Sequence, residues 1–393
     1  MVRGSTPANA IVEKIFNKIP IEQLQSWARK HLAENDLVLL EASGNSFQVV
    51  RTLAALGYKG IVLESCHLGK LKEAHANNDK ISAVRIGKTY LCGTAKKVWV
   101  PDTLTQERRD WFHAHTKAVR RTTQLRARLR SYLSDNGVRL KKDVHLTEAQ
   151  AEGKIKKARQ WTPRQWLIIE TLLMDLRHAD TQRKRWRALI SQEVLTDPEM
   201  AALVRLCGIR EMVAFALVAF IGDIKRFANA KKLVAYVGLN PAFDDSGNSK
   251  WSGGIGGHGN KHLRWLLLEA AQSVFRSPKN QIARWGKKLL ARKGSLNLAA
   301  CAVARKLVTA VWYLMMGQWD KVEEVDAKLT AKIGKIITRV EAAGLKELST
   351  TRKALREKTV ELLKTGKTYV LKPEMKFIPR KSTTLTEEYG LRG

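Results

Sequence analysis

The chain has 393 residues, of which 44% are hydrophobic, and its 70 Lys and Arg outnumber 37 Asp and Glu to leave a formal net charge of +33. That apolar fraction excludes a wholly disordered chain, and the length predicts two to three domains of about 100–200 residues each. So large a positive excess points to a polyanionic partner, nucleic acid first, and apolar runs such as Val213 to Ile221 stop well short of the ~20 residues of a membrane span.

Met1 to Ala10 contains no apolar leader core, so the sequence predicts a cytoplasmic protein with no membrane partner. The four cysteines, Cys66, Cys92, Cys207 and Cys301, form no C-x-x-C pair, which argues against a zinc ribbon or a disulfide scaffold.

The first hundred residues alternate helix-like and strand-like segments. Apolar spacing predicts a helix over Ile21 to Leu32, and Leu37 to Glu41 is a short continuous apolar run of the kind found in a buried strand. A helix over Ser46 to Leu56 ends at Gly57, Gly60 to Glu64 is a second apolar strand, and Ser82 to Leu91 is helical. Strand, helix, strand in that order implies a parallel pair joined by a right-handed crossover.

From Gln106 to Lys142 the pattern changes to a long helix. Trp111, Ala114, Ala118, Leu125, Leu129 and Tyr132 form one apolar stripe among Arg108, Arg109, Lys117, Arg120, Arg121, Arg126, Arg128 and Arg130. A second long helix runs from Pro163, a good first helical residue, to Ile190, with Trp166, Ile169, Leu173 and Leu176 on one face. The two are expected to pair as an antiparallel coiled coil. A structural spacer and a nucleic-acid arm both fit this pattern, because dense arginine suits phosphate contacts.

Helices are predicted over Glu199 to Cys207, Met212 to Ile221 and Ala230 to Val237. Residues 244–260, rich in Gly and Ser, are expected to be loop. Further helices cover Lys261 to Val274 and Leu296 to Met316, and the charged tail beyond Asp320 is helical to about Leu363.

Glu41 closes an apolar strand, the place where open α/β sheets gather catalytic groups, though a solvated edge residue would look the same. Asp79 opens a helix, so it is either an N-cap or a second carboxylate able to share a divalent cation with Glu41. Ser246 lies in the glycine-rich stretch beside Asp244 and Asp245. It is either ordinary turn chemistry or a nucleophile, and His258 is either a loop residue or a group that could deprotonate a hydroxyl. Lys250, Lys261, His262 and Arg264 surround that stretch with positive or titratable groups, and its glycines would let backbone N–H groups approach a phosphate.

Taken in order, Leu39 to Gly44, Asn78 to Arg85, Ile221 to Phe227, Leu233 to Pro241, Asp245 to Gly247 and His258 to Arg264 resemble the DEDD transposases of the insertion-sequence-110 family. The resemblance covers residues 30 to 316. It implies an N-terminal RuvC-like, RNase H-like domain over 1–103, a basic coiled coil over 104–195 and a C-terminal transposase domain with helix-hairpin-helix character over 196–318. A charged helical tail over 319–393 lies beyond it. The fold class expected is therefore α/β plus all-α.

The resemblance further implies cutting and rejoining of DNA with Mg2+, a serine nucleophile, a guide (bridge) RNA and a homo-oligomer, dimer or tetramer, associated with the nucleoid. By motif, Glu41 matches the family's glutamate, Asp79 the first aspartate of D-x-x-D-A, and Ser246 the serine of S-G. Ser82 stands where the second aspartate is expected and would be a weaker metal contact. Arg120, Arg121, Arg126, Arg128, Lys250, Lys261 and Arg264 are the expected DNA or RNA contacts. Gly208-Ile209-Arg210 lacks the second glycine of a G-I-G hairpin, which weakens backbone phosphate binding there.

No strand bearing the family's first aspartate precedes Asp36, and Val2 to Pro7 reads as the end of a third strand. A shortened N-terminus, or a misassigned start, with an open edge beside the Glu41 strand, is the expectation. The competing functions are a Holliday-junction resolvase-like nuclease, and an inactive truncated copy that only binds nucleic acid.

Overall fold

The computed structural model describes residues 2–3, 11–12, 19–65, 79–141, 144–246, 249–277, 280–318 and 328–365. The chain divides into two units, the first ending at Thr103 and the second beginning at Leu104.

In the first unit, strand β1 (Val2–Arg3) pairs antiparallel with β2 (Ile11–Val12), and helix α1 (Leu24–His31) follows. Next come β3 (Leu37–Glu41), α2 (Ser46–Ala55), β4 (Lys59–Leu63), α3 (Asp79–Leu91) and β5 (Lys97–Val98). The sheet has the order β3-β4-β5. The first pair is parallel, from Leu37 opposite Lys59 to Glu41 opposite Leu63, and β5 runs antiparallel to β4. The strand-helix-strand expectation is thus met. The expected third strand at Val2 to Pro7 is not: Val2 and Arg3 form a separate two-stranded sheet with β2. Among the described strands β3 is an edge, and Leu37 at its start is exposed.

The helix α2 has two working faces. Val50 and Ala54 pack with Val62 on the sheet, while Leu53 packs with Leu24 and Ala28 of α1. Gly57, at φ +87°, lets the chain leave α2 in the left-handed conformation.

The second unit opens with α4 (Thr103–Asp135), α5 (Ala149–Ala158) and α6 (Pro163–Thr196). Thr162 and Gln165 form a reciprocal cap with Pro163 at the first turn of α6. α4 and α6 are antiparallel. Arg108 near the start of α4 donates to Glu193 and, at 2.7 Å, to Asp197 at the far end of α6. At the other end Gln165 donates to Asn136 at 2.9 Å.

Two details depart from a plain coiled coil. α5 inserts Ala151 and Ile155 among Leu129, Leu133, Ile169, Leu173 and Leu176, so the distal end is a three-helix cluster. The buried line of α4 runs through Thr105, Arg108, Phe112, His115, Thr122, Leu129 and Leu133, whereas Trp111, Ala114, Ala118, Leu125 and Tyr132 are half-buried. Arg108 and Thr122 can occupy that line because they have partners. Arg108 is matched by two carboxylates, and the Thr122 hydroxyl donates to the Ala118 carbonyl at 2.8 Å.

His115 enters that line as a neutral ring. Burial, with Arg187 and Arg183 nearby, pushes its pKa down to about 4 against the pull of Glu211. The unfolded chain binds this proton near pH 6.5 and the folded chain only near pH 4, so stability falls as pH drops through that window. The loss attached to this one group should be on the order of 2–3 kcal/mol. His115→Leu is expected to flatten the fall in urea-unfolding free energy between pH 6.5 and 4.5; an unchanged slope would mean that other groups carry it.

The rest of the unit is a helical globule. It comprises α7 (Pro198–Val204), α8 (Glu211–Ile221), α9 (Ala230–Val237), α10 (Lys261–Val274), α11 (Gln281–Lys293), α12 (Leu296–Met315), α13 (Leu329–Ile337), α14 (Ala342–Glu347) and α15 (Arg352–Thr365). α8 is buried on all sides and forms the centre. α12 is, among the described helices, long and apolar enough to cross a membrane. Its Ala300, Val303, Ala304, Leu307, Val308 and Val311 instead sit in this core.

The region beyond Asp320 is more than a charged tail. Leu329, Ile333, Ile336, Ile337, Leu348, Leu355 and Val360 enter the same core. The expectation of loop over 244–260 is also corrected. β6 (Pro241–Ser246) pairs antiparallel with β7 (Ser249–Ile255), with an irregularity between Pro241 and Phe243. Cross-strand backbone pairing supplies hydrogen bonds that a glycine- and serine-rich segment cannot make alone.

Candidate functional site

Glu41 is the last residue of β3 and is exposed. The strand end is fixed around it. Ala42 N–H donates to the Leu63 carbonyl at 2.9 Å, and Ser65 Oγ donates to the Ala42 carbonyl at 2.7 Å. Ser46, which is buried at the start of α2, accepts from Ser43 N–H at 3.2 Å. The carboxylate therefore stands at the carboxyl end of a parallel strand, just before the turn into α2, where ligands collect in sheets of this kind.

Asp79 is the first residue of α3, and α3 lies against β3. The Asp79 side chain lies outside the described residues; Ser82, one turn on, is half-buried. Carboxylate and hydroxyl oxygens are the hard donors that Mg2+ takes, with its remaining positions left to water and phosphate, so Glu41, Asp79 and Ser82 fit that ion by chemistry. Among the described residues there is no group of three His, Cys, Asp or Glu able to hold a metal.

In the second unit Ser246 ends β6 and pairs in register with Ser249, close to the tip of the hairpin. Its side chain, like those of Asp244, Asp245 and Lys250, lies outside the described residues. The residues flanking the hairpin, Gly238 and 255–260, are described. Gly238 at φ +79° and Gly259 at φ +91° cross in backbone contact: a Cβ on Gly238 would lie 2.1 Å from the His258 carbonyl, and one on Gly259 2.6 Å from the Gly238 Cα. Only glycine meets both demands.

Arg264 closes this crossing. Its Nη1 donates to the carbonyls of His258, Gly256 and Gly238 at 2.7, 3.1 and 3.2 Å. The residue expected as a nucleic-acid contact thus holds the turn. Asn260 caps α10 through His262 and Leu263 N–H, and its own N–H donates to the Tyr236 carbonyl at 2.8 Å. The Tyr236 hydroxyl donates in turn to the Phe220 carbonyl at 2.9 Å, which anchors the hairpin to the end of α8. Lys261 is exposed at the first position of α10, and His258 is exposed.

Arg120, Arg121, Arg126 and Arg128 are exposed on α4. A groove between α4 and α6 is lined by Lys117, Arg120, Arg121, Gln124 and Arg128, with Asp175 opposite. Such a row of cations meets a phosphodiester backbone without reading its sequence.

Sequence reasoning gave no role to the aromatic cluster beside this row. The His262 ring stacks on Phe220 at 5.7 Å, and His113 of α4 lies 5.1 Å from His262. Burial holds both imidazoles below their ordinary pKa, with nearby cations adding to the effect. Arg109 donates to the Ala219 and Phe220 carbonyls at 2.9 and 3.2 Å. These contacts join α4 to the base of the hairpin. The spacing of His113 and Arg109 on a basic helix carried no signal of that contact.

Residues 200–285, from within α7 to within α11, match the model of the Transposase IS116/IS110/IS902 family. The transposase for insertion sequence element IS1111A of Coxiella burnetii (strain RSA 493 / Nine Mile phase I) is 24% identical over 285 residues, 72% of this chain and 78% of that protein. The transposase for insertion sequence element IS1328 of Yersinia enterocolitica is 21% identical over 308 residues, 77% of this chain and 89% of that protein. Matches of this kind support an insertion-sequence transposase. Over residues 200–285 the chain is similar to the transposases of the IS116/IS110/IS902 family.

Proposed function

We propose that the protein cuts and rejoins DNA as a site-specific recombinase, with the first unit as a RuvC-like domain and Ser246 as nucleophile. The observation that carries the reading is Glu41 at the carboxyl end of parallel β3, with the helix opened by Asp79 packed beside that strand. Glu41, Asp79 and, more weakly, Ser82 would hold Mg2+, which when bound offsets negative charge building on a phosphate.

The chain's own chemistry follows from the alcohol. The Ser246 oxygen forms a bond to phosphorus as the bond from phosphorus to one strand-end oxygen breaks. The hydroxyl proton ends on that departing strand end. The phosphoserine link keeps the bond energy, and the hydroxyl of an incoming strand reverses the step, returning the proton to Ser246. Arg264 and the Gly238–Gly259 crossing orient the hairpin that carries the serine. Arg120, Arg121, Arg126, Arg128, Lys250 and Lys261 hold the backbone, consistent with a charge of +33. A guide RNA, a dimer or tetramer and a place on the nucleoid belong to the same proposal.

Ser82 in place of an aspartate favours a second reading, a copy that binds nucleic acid without cutting it. An excision-and-joining assay on a plasmid carrying the element, with Ser246→Ala and Glu41→Gln, decides. Both variants are expected to lose joining by at least about 100-fold while still binding nucleic acid. Cleavage retained by Ser246→Ala would point to a resolvase-like nuclease. Binding without joining in the unaltered protein would establish the second reading.

A further inference from the structure

His113, Lys117, Arg120, Gln124 and Arg128 follow one another on α4 at spacings of three or four residues, so they lie along one face of the helix. The last four line the open groove against α6. His113 carries that face one turn further, toward α10. There its ring meets His262 edge to face, at 5.1 Å and 69°, and His262 lies flat on Phe220 with 12° between the planes. Lys261 is exposed beside it. The basic face of α4 thus runs on, through a pair of imidazoles, to the start of α10, the helix that follows the hairpin carrying Ser246.

An aromatic core contact would account for the stacking but not for the nitrogens. Each ring is half-buried, and among the described residues neither imidazole has a hydrogen-bond partner. The charged groups facing the pair are Arg109, Asp110, Lys117 and Arg120 from α4 and Lys261 from α10. The end of α8 presents the Phe220 ring, with Arg109 turned onto the Ala219 and Phe220 carbonyls. Asp110, the one carboxylate of the set, is exposed and accepts from Gln106 at 2.9 Å. Asp175 of α6 faces the groove further along. Among the described residues no carboxylate pairs with Lys117, Arg120 or Lys261. Four cations and one carboxylate around two imidazoles make a positive site, and a neutral imidazole keeps an N–H to donate. The backbone N–H groups of His262 and Leu263 are already taken by the Asn260 cap, so side chains and not the helix end would bind there.

We infer that His113 and His262, with Lys117, Arg120 and Lys261, form a site for a backbone phosphate of bound DNA at the root of the β6–β7 hairpin, so that a strand held along α4 is led to the segment carrying Ser246. The inference rests on the reading that this unit binds DNA. A phosphate at that place offsets the surrounding cations and accepts from both rings, which favours their protonated forms. The rings are neutral in the free protein and charged in the complex. Binding therefore takes up protons, and affinity rises as pH falls through the histidine range.

The test is the affinity of the full chain for a labelled DNA duplex of about thirty base pairs. It is measured at pH 8, 7 and 6 and at one ionic strength, because phosphate contacts weaken steeply with salt. The unaltered protein should bind about tenfold more tightly at pH 6 than at pH 8. The double variant His113→Phe, His262→Phe keeps two stacked rings and removes their nitrogens. Its affinity should change by less than about threefold over the same range, with the melting temperature at pH 8 unchanged. His258→Gln, at an exposed histidine outside the pair, should keep the full slope.

A slope that persists in the double variant, or one that His258→Gln removes, overturns the inference. If the double variant does not fold, calorimetry on the unaltered protein in buffers of different ionisation enthalpy decides. Uptake of about one proton or more per bound duplex at pH 6.5, retained by His258→Gln, supports the site, and no uptake overturns it. An unaltered protein that binds no duplex at any pH removes the DNA reading and the inference together. Binding with a flat pH profile removes the inference alone.

Discussion

Gly238→Ala is expected to abolish DNA joining, while Gly257→Ala, nineteen residues further on, leaves it intact. At Gly238 the backbone is left-handed at φ +79°, which costs an alanine about 1–2 kcal/mol before any contact is considered. The added methyl would then lie 2.1 Å from the His258 carbonyl and 2.6 Å from Arg264 Nη1. Neither can yield cheaply, because that carbonyl is one of the three the guanidinium binds. The crossing must open, and the hairpin carrying Ser246 swings from it. At Gly257 a Cβ meets nothing within 4 Å. The core of the unit does not pass through the crossing, so the expected signature is loss of joining with urea unfolding shifted by only about 2–3 kcal/mol. Joining by Gly238→Ala at the unaltered rate would show that the hairpin's orientation does not matter.

Glu211→Gln should be the most destabilising single change of a charged residue in the second unit. The carboxylate is 1% exposed and faces Arg187, Arg339 and Arg210. Burial raises its pKa, but Arg339, Arg187 and Arg210 outweigh that and hold it below the usual carboxylate range. A group depressed in this way stabilises the fold above its unfolded pKa, and the contribution is lost as pH falls through the folded value. The amide removes the charge at every pH and leaves guanidiniums part-buried without their counter-ion. A change of this type costs about 3–5 kcal/mol, a large share of a typical 5–15 kcal/mol. Urea unfolding at pH 7 should show it, with early loss of the helices after residue 328, because Arg339 ties them to α8. A cost below about 1 kcal/mol would mean that the arginines find other partners or reach water.

Several elements were plain in the chain. Leu37 to Glu41 forms a strand over the expected residues because a short apolar run ending in a charge has few other ways to be buried. Pro163 opens α6, and Gly208, Gly222 and Gly238 punctuate the helices as their positive φ requires. Glu41 was legible as a strand-end carboxylate from the same local logic. The α5 helix and α11 were not predicted, being lysine- and arginine-rich segments whose apolar faces are narrow.

Local sequence determined the helices and strands of most of the chain, the basic row on α4 and the places where the chain turns. It did so because period, charge and left-handed glycines act over a few residues. Tertiary structure alone decided which polar groups go inside. Arg108, His115, Glu211 and Lys332 look like solvated residues on helices, and each is buried by partners as far as 128 residues away or by the packing of helices around it. The β6–β7 hairpin is of the same kind: its glycines and serines carry little strand preference of their own, and it is the opposite strand and the Arg264 clamp that make it one.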